Sequence, residues 1–474
     1  MLFNSIQFIL FFPIVVLIYY LLQTKKSRNI FLLIASYYFY MNWNPIYVFL
    51  ILFSTISTFC CSLFIEKNKG NKNARAALVM NIIINLAILF VFKYYNFIND
   101  SVFSLLESFG LRWNVPNLTF LLPVGISFYT FQAIGYSIDV YRGRLDAEHS
   151  IITYALFVSF FPQLVAGPIE RANNLLPQFH KKHIFDGKKV TDGLKLMLWG
   201  FFMKICVADR LGIYVDPIYN NVENYGGCSL LIATVLFAFQ IYCDFCGYSL
   251  IAIGSAKCMG FSLMENFRRP YFSISIKDFW KRWHISLSTW FMDYVYIPLG
   301  GNRVPFLRHL FNLLVTFLIS GLWHGANWTF VIWGGIHGVY LIAEKVLSKF
   351  ARNKQDDTGP IHVLKVIWCF LLVSFAWIFF RADSMQNAST IIHKIFTDFQ
   401  FGNINVGQGK MFILSLIMLA VLILKDVLDE YFPEKLSLLF FNVHRVVRWF
   451  IYYVIIALIL IMATPSQNFI YFQF

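Results

Sequence analysis

Charge is scarce in this sequence. Only 14% of its 474 residues are Asp, Glu, Lys or Arg, against about a quarter in soluble globular domains. No stretch is polar enough to form a soluble domain, and no internal repeat is visible. Negative charge is scarcest, with 25 acidic against 39 basic residues and a net charge of +14. A basic balance can mark nucleic-acid binders, but no RNA- or DNA-binding motif accompanies it here. The Lys and Arg residues cluster in short loops between apolar runs, the pattern of cytoplasmic loops in membrane proteins. Other absences exclude chemistries. There is no G-x-x-x-x-G-K-[ST] for a nucleotide phosphate, no G-x-S-x-G elbow and no H-E-x-x-H zinc motif. The N-terminus also lacks the basic n-region and small-residue cleavage site of a signal peptide, so it reads as a retained first helix.

What the chain has in excess is apolar surface: 58% of residues are hydrophobic and 19% aromatic. Apolar runs such as Leu2–Leu22, Ile46–Ile65, Ala76–Phe92, Leu230–Ile241 and Trp449–Met462 recur along it. The longer ones approach or reach the ~20 residues that cross ~30 Å of hydrocarbon as a helix. The reading is an all-α polytopic membrane protein with roughly 11 spanning helices plus re-entrant or interfacial ones. It is one integral membrane domain: regular helices over 1–98, a core over 121–342 and regular spans over 361–474. The core differs because Gly, Pro and charge break its apolar runs, as in FPQLVAGPIER (161–171) and YVYIPLGGNRV (294–304). Non-helical backbone at membrane depth must be buried in protein or line a wet cavity. Lys25, Lys26 and Arg28 follow the first helix, and a second basic loop runs from Lys67 to Arg75. Both loops predict the same orientation, with the N-terminus outside. Ser348 to Pro360 reads as a loop.

Two polar islands interrupt the core. The first, residues 265–303, packs charge, aromatics and hydroxyls into an apolar setting. Lys277-Asp278 and Lys281-Arg282 lie one helical turn apart, so i,i+4 pairing can offset their charge. His284, Ser288 and Phe291 extend one face at helical spacing. An interfacial amphipathic helix with its Trp residues among headgroups accounts equally well for this pattern. The second island, GLWHGANW (321–328), tips the balance, because His324 there has no basic neighbours to mark an interface.

Intramembrane ionisable residues are rare and usually functional, although a lone buried histidine is more often a structural hydrogen-bonding group. Two of them in one broken core favour function. Neutral imidazole can take a proton from a hydroxyl, and the flanking Trp283 and Trp323 would exclude water from an activated acyl group. That is the logic of acyl transfer to an alcohol. His337, in WGGIHG, is a lesser candidate. Asp244 sits inside an apolar helix and could pair with an Arg of the following segment. Cys243 and Cys246 form a lone C-x-x-C that packs as small hydrophobes rather than holding metal, and no metal site is expected.

With these residues in view, the sequence resembles the membrane-bound O-acyltransferase family, in particular its bacterial alginate O-acetyltransferase membrane-subunit branch. The matching motifs are FFPQLVAGPIER, QIYCDFCGYSLIAIGSA, NFRRPYFSISIKDFWKRWHISLSTWFMDYVYIPLGGNR, SGLWHGANWTFVIWGGIHG and the tail FIYFQF. The family usually carries Phe and Ser where Cys243 and Cys246 stand. The resemblance implies that His324 is the catalytic histidine and that His284 lines the same central tunnel. It also implies a donor entering from the cytoplasmic side and an extracytoplasmic acetyltransferase- or esterase-like partner protein. Candidate substrate- and donor-binding residues are Arg282, Trp283, Ser288, Trp323, Asp244 and Asn327. No bound cofactor is expected. The acyl donor is acetyl-CoA or a phosphopantetheine-linked acyl carrier protein, which would be a cytoplasmic partner. Lipids are the remaining partner, in a bacterial cytoplasmic membrane. Two rivals stay open at this point: a D-alanyl transferase for teichoic acid, and a lipid or glycan transporter, for which broken helices are equally expected.

Overall fold

A computed structural model describes residues 1–165, 167–350, 359–399, 409–432, 444–463 and 469–470. Most of the loop expected between Ser348 and Pro360, and the aromatic tail beyond Ile470, lie outside the described residues. The chain divides into two compact units, residues 1–197 with 249–264, and residues 198–248 with 265–474.

In the first unit, capping residues punctuate apolar sequence. Ser5 Oγ accepts the Phe8 N–H at 3.3 Å and starts α1 (Ile6–Leu21), and Thr24 Oγ1 accepts the Ser27 N–H at 3.1 Å and starts α2 (Lys25–Met41). The Asn42–Pro45 stretch breaks the chain as its composition predicts, and Asn44 Oδ1 accepts the Ile46 N–H at 3.0 Å before α3 (Val48–Lys67). Then follow α4 (Lys72–Leu89), a π-helical turn at 90–94 and α5 (Tyr95–Ser108). Gly125 opens α6 (Ile126–Tyr141) at φ +74°, and a Cβ there would sit 2.6 Å from the Leu164 carbonyl oxygen. Conformation and contact both demand glycine at that position. Short helices α7 (Ile151–Ser159), α8 (Phe161–Leu164) and α9 (Ala172–Phe179) precede α10 (Gly187–Phe201).

Polar side chains stitch α3, α4 and α6 together. Ser54 Oγ donates to Asn85 Oδ1 at 2.6 Å, Thr58 Oγ1 to Asn81 Oδ1 at 3.0 Å, and Asn81 Nδ2 to Ser137 Oγ at 2.7 Å. Such inter-helix bonds contribute about 0.6 kcal/mol each in a membrane bundle.

The second unit carries the chemistry. A π-helical segment at 202–208 joins α10 to α11 (Asp209–Tyr219), and α12 (Gly227–Cys258) follows. After it come α13 (Ile276–Arg282), α14 (Ile285–Phe291), α15 (Phe306–His324), α16 (Trp328–Phe350), α17 (Pro360–Arg381), α18 (Met385–Thr397), α19 (Lys410–Tyr431) and α20 (Arg445–Met462). Eight helices among the described residues are long and apolar enough to span a membrane, and α1 is a shorter apolar one. The helices between Ile126 and Tyr219 are too short or too charged to join them. The protein is thus an all-α, multi-pass membrane protein.

Asp244 does not pair with an Arg of the next segment. Its Oδ1 lies 2.5 Å from Lys204 Nζ, and its Oδ2 accepts the Ile470 N–H at 2.8 Å. The expected partners go elsewhere: Arg269 reaches Glu430 at 2.6 Å and Arg268 reaches Glu265 at 2.5 Å. Lys204 Nζ is also 2.7 Å from Asp209, so one buried ammonium sits between two buried carboxylates.

Glycines set the approach of α15 to α16. A Cβ on Gly334 would stand 2.2 Å from the Phe317 carbonyl oxygen, and one on Gly321 would stand 2.2 Å from that of Phe330. Small residues let spanning helices meet at backbone distance. Replacing Gly334 with Val should therefore cost at least the ~1–3 kcal/mol typical of overpacking. Thermal unfolding of the detergent-solubilised protein reads this loss directly. A variant as stable as the parent would show that the two helices separate freely.

Candidate functional site

Residues 276–291 keep helical spacing, yet they do not form one helix. Ser275 Oγ accepts the Asp278 N–H at 3.1 Å and starts α13, which stops at Arg282. His284 then adopts a left-handed backbone with φ 44°, and α14 begins at Ile285. Non-glycine residues in this region are uncommon, and such strain gathers at functional sites. A segment running alongside takes up the backbone groups freed by the break. Arg268 N–H donates to the Arg282 carbonyl, and Ile285 N–H to the Asn266 carbonyl, each at 2.9 Å.

The Asn266 side chain completes the clamp. Its Oδ1 accepts from His284 Nδ1 at 3.0 Å, from Ser286 Oγ at 2.9 Å and from the Ser286 N–H at 3.3 Å. His284 is fully buried, with the Phe245 ring edge-on at 4.6 Å. Burial pushes its pKa well below the ordinary histidine value, so the ring is neutral.

His324 is the last residue of α15, and it too is buried. Its ring meets Trp323 and Trp333 at 4.9 Å each and Phe380 at 5.5 Å. Gly325 is obligatory behind it, because a Cβ there would lie 2.1 Å from the Phe330 ring. The two imidazoles are 6.4 Å apart between ring centres, and Trp323 lies 6.2 Å from His284. Two polar islands 40 residues apart in sequence thus share one aromatic enclosure.

The remaining candidates divide. Trp323 belongs to the enclosure, while Trp283 stacks on Phe279 at 5.5 Å and lies tilted against Trp377 at 5.1 Å. Ser288 Oγ donates to the Trp283 carbonyl at 3.2 Å and so secures the helix break. Arg282 is held by Asp278 at 3.1 Å and Glu430 at 2.7 Å, so its charge is compensated within the protein. Asn327 accepts the Thr329 N–H and donates to the Asp383 carbonyl, both at 3.1 Å, fixing the start of α16. Asp244 belongs to the Lys204 ion-pair cluster. Cys243 and Cys246 are buried free thiols in α12.

His337 is buried one ring beyond His324: Trp333 stands 4.9 Å from His324 and 5.0 Å from His337. The Trp280 indole N–H, which can only donate, points at His337 Nδ1 at 3.3 Å. His337 therefore carries its proton on Nε2. Residues that sequence reasoning passed over include Asn266, Trp333, Trp377 and Phe380. Trp333 stands in the same motif as His337, but Asn266 is a lone amide before an aromatic run with no periodic signal.

A buried histidine facing a second one behind indole walls can, in its neutral form, take a hydroxyl proton while the walls keep water from a reactive acyl group. The comparisons agree with that chemistry. The membrane-bound O-acyltransferase family model matches residues 143–386, a span that holds both histidines. The chain is 40% identical over 432 residues to the probable alginate O-acetylase AlgI of Pseudomonas aeruginosa, covering 90% of this chain and 81% of that protein. It is 35% identical over 425 residues to the peptidoglycan O-acetyltransferase of Helicobacter pylori, covering 83% and 79% respectively. The teichoic acid D-alanyltransferase of Bacillus subtilis is 27% identical over 279 residues, 56% of this chain and 70% of that one. The helical membrane architecture, the paired histidines and these similarities together place the chain in the membrane-bound O-acyltransferase family, as an acyltransferase.

Proposed function

We propose that this protein moves an acetyl group from a cytoplasmic thioester across a bacterial cytoplasmic membrane for O-acetylation of an exported polysaccharide. The observation that carries the reading is the enclosed His284–His324 pair, in a chain that resembles O-acetylating enzymes over most of its length. His324 is the general base. It removes the acceptor O–H proton as the oxygen bonds to the acyl carbon. The carbon–sulfur bond breaks, and the departing thiolate takes the proton back from the imidazolium. His284 positions the reacting groups.

The donor is acetyl-CoA or an acyl carrier protein bearing a phosphopantetheine arm, both anionic thioesters. Lys277 and Lys281 are exposed on α13, whereas Arg282 is already paired, so these two lysines suit the approach of an anionic donor better. The basic loops after the first and third helices support an orientation with the N-terminus outside. Final delivery to the glycan falls to an extracytoplasmic acetyltransferase- or esterase-like partner.

Mass spectrometry of exported polysaccharides from cells with and without the protein tests the reading. O-acetyl groups should vanish with the protein and return on complementation. Loss of D-alanine esters instead would assign the chain to the D-alanyl transfer of its more distant relatives. An unchanged glycan would overturn both.

A further inference from the structure

Asn266 has no place in the acyl-transfer scheme above, yet it makes the most closely defined contacts at the site. Its Oδ1 is 3.0 Å from His284 Nδ1, 2.9 Å from Ser286 Oγ and 3.3 Å from Ser286 N. An amide oxygen and nitrogen look alike in shape, so their assignment must come from a partner whose role is fixed. The Ser286 main-chain N–H is such a partner, because it can only donate. It requires an oxygen at this position, and an oxygen can only accept from the imidazole. His284 Nδ1 must therefore carry the ring proton, which leaves Nε2 as the basic nitrogen.

Two further features show that this arrangement is built rather than incidental. The two non-glycine residues with left-handed backbone among the described residues are Arg269 and His284, and both flank the clamp. Arg269 is itself anchored by Glu430 at 2.6 Å. The main-chain bonds from Arg268 to Arg282 and from Ile285 to Asn266 hold the two segments in register. His337, by contrast, is set to the opposite tautomer by Trp280. Two buried histidines of one unit thus receive opposite proton placements from donors and acceptors of unambiguous type.

We propose that Asn266 is a positioning residue for acyl transfer: it locks His284 in the tautomer with Nδ1 protonated, so that Nε2 is a standing hydrogen-bond acceptor in the enclosure shared with His324. Nε2 can then receive a hydrogen from a neighbouring hydroxyl or amide of a bound substrate, which orients the reacting O–H toward the His324 base. The inference rests on the acyl-transfer reading only for its kinetic consequence. The tautomer itself can be observed without any activity.

The experiment uses the full-length protein in detergent, labelled with 15N-histidine, with the His284 resonances identified by their loss in His284→Gln. Protonated and bare ring nitrogens resonate in well-separated regions. The parent should show a protonated Nδ1 and a bare Nε2, and Asn266→Leu, which has no acceptor, should lose that fixed pattern. A pattern unchanged in Asn266→Leu, or a protonated Nε2 in the parent, would overturn the proposal whatever the reaction proves to be.

The kinetic arm compares Asn266→Leu and Asn266→Asp in membrane vesicles. Leucine should lower kcat at least tenfold with KM for the donor changed less than threefold. Aspartate keeps an acceptor but adds a negative charge that favours the imidazolium. A raised histidine pKa means the neutral ring is lost at higher pH, so the acid limb of the rate profile should move up by a unit or more. Activity in Asn266→Asp should partly recover above that limb. Equal losses in both variants with an unmoved limb would reduce Asn266 to packing, as would failure of both to fold. An inactive parent in this assay counts against the acetyl-transfer reading alone, since the resonance arm still decides the tautomer.

Discussion

His324→Ala should insert and fold like the parent yet lose acyl transfer by about two to four orders of magnitude, the usual contribution of a positioned general base. The expectation follows from where the ring sits. It closes α15 and touches Trp323, Trp333 and Phe380. Removing it deletes the imidazole that faces His284, while the Gly321 and Gly334 contacts that dock α15 on α16 stay intact. The measurement is O-acetylation of exported glycan at matched protein levels in the membrane, with elution on size exclusion as the folding control. His324→Gln keeps more of the ring's volume and should be equally inactive. Substantial transfer by either variant would remove His324 from the proton path.

The largest stability effect is expected at Lys204. Its ammonium lies 2.7 Å from Asp209 and 2.5 Å from Asp244, with all three side chains buried. Lys204→Ala leaves two buried carboxylates facing each other, and breaking a buried pair from one side costs about 3–5 kcal/mol. Asp244→Asn should cost less, because Asp209 still answers the ammonium and an amide oxygen can still accept the Ile470 N–H. A Lys204→Met, Asp209→Asn, Asp244→Leu triple variant removes all three charges, and buried ion pairs or triads replaced by uncharged residues are often neutral in stability. Thermal unfolding of the purified variants should thus rank Lys204→Ala far below the triple variant. If the two unfold together, the ion pair is not what holds the π-helical segment against α12.

Much of the architecture was legible because membrane helices announce themselves by length and apolarity. The break at Asn42–Pro45 and the paired Asp278–Arg282 turn could likewise be read from local sequence. The two histidines stood out as polar islands, but local pattern could not show their meeting, which only the family resemblance implied, since it depends on how α15 packs in the second unit. The helix interruption at His284 was hidden for a related reason. Residues 276–291 carry a helical pattern throughout, and the contacts that overrule it come from Asn266 and Arg268, outside any local window. Asp244 shows the limit most clearly. The nearest arginines downstream, Arg268 and Arg269, were the natural partners by proximity, yet Glu265 and Glu430 hold them. Lys204 takes their place from a π-helical insert some forty residues upstream, where no periodic pattern points to it.

The packing around His324 also makes the protein its own optical instrument. Trp333 stands edge-to-face against the imidazole at 4.9 Å and is stacked on Trp377 at 5.7 Å with planes 20° apart. A neutral imidazole leaves indole emission largely intact, whereas an imidazolium in contact quenches it. On the proposed mechanism, each proton that His324 takes from an acceptor would therefore be written as a dip in the light from its neighbour. The chain has 12 tryptophans, so the signal is read as the difference between the parent and Trp333→Phe. Mixing the enzyme with donor and then acceptor would follow the proton in real time, with no dye or label in the site.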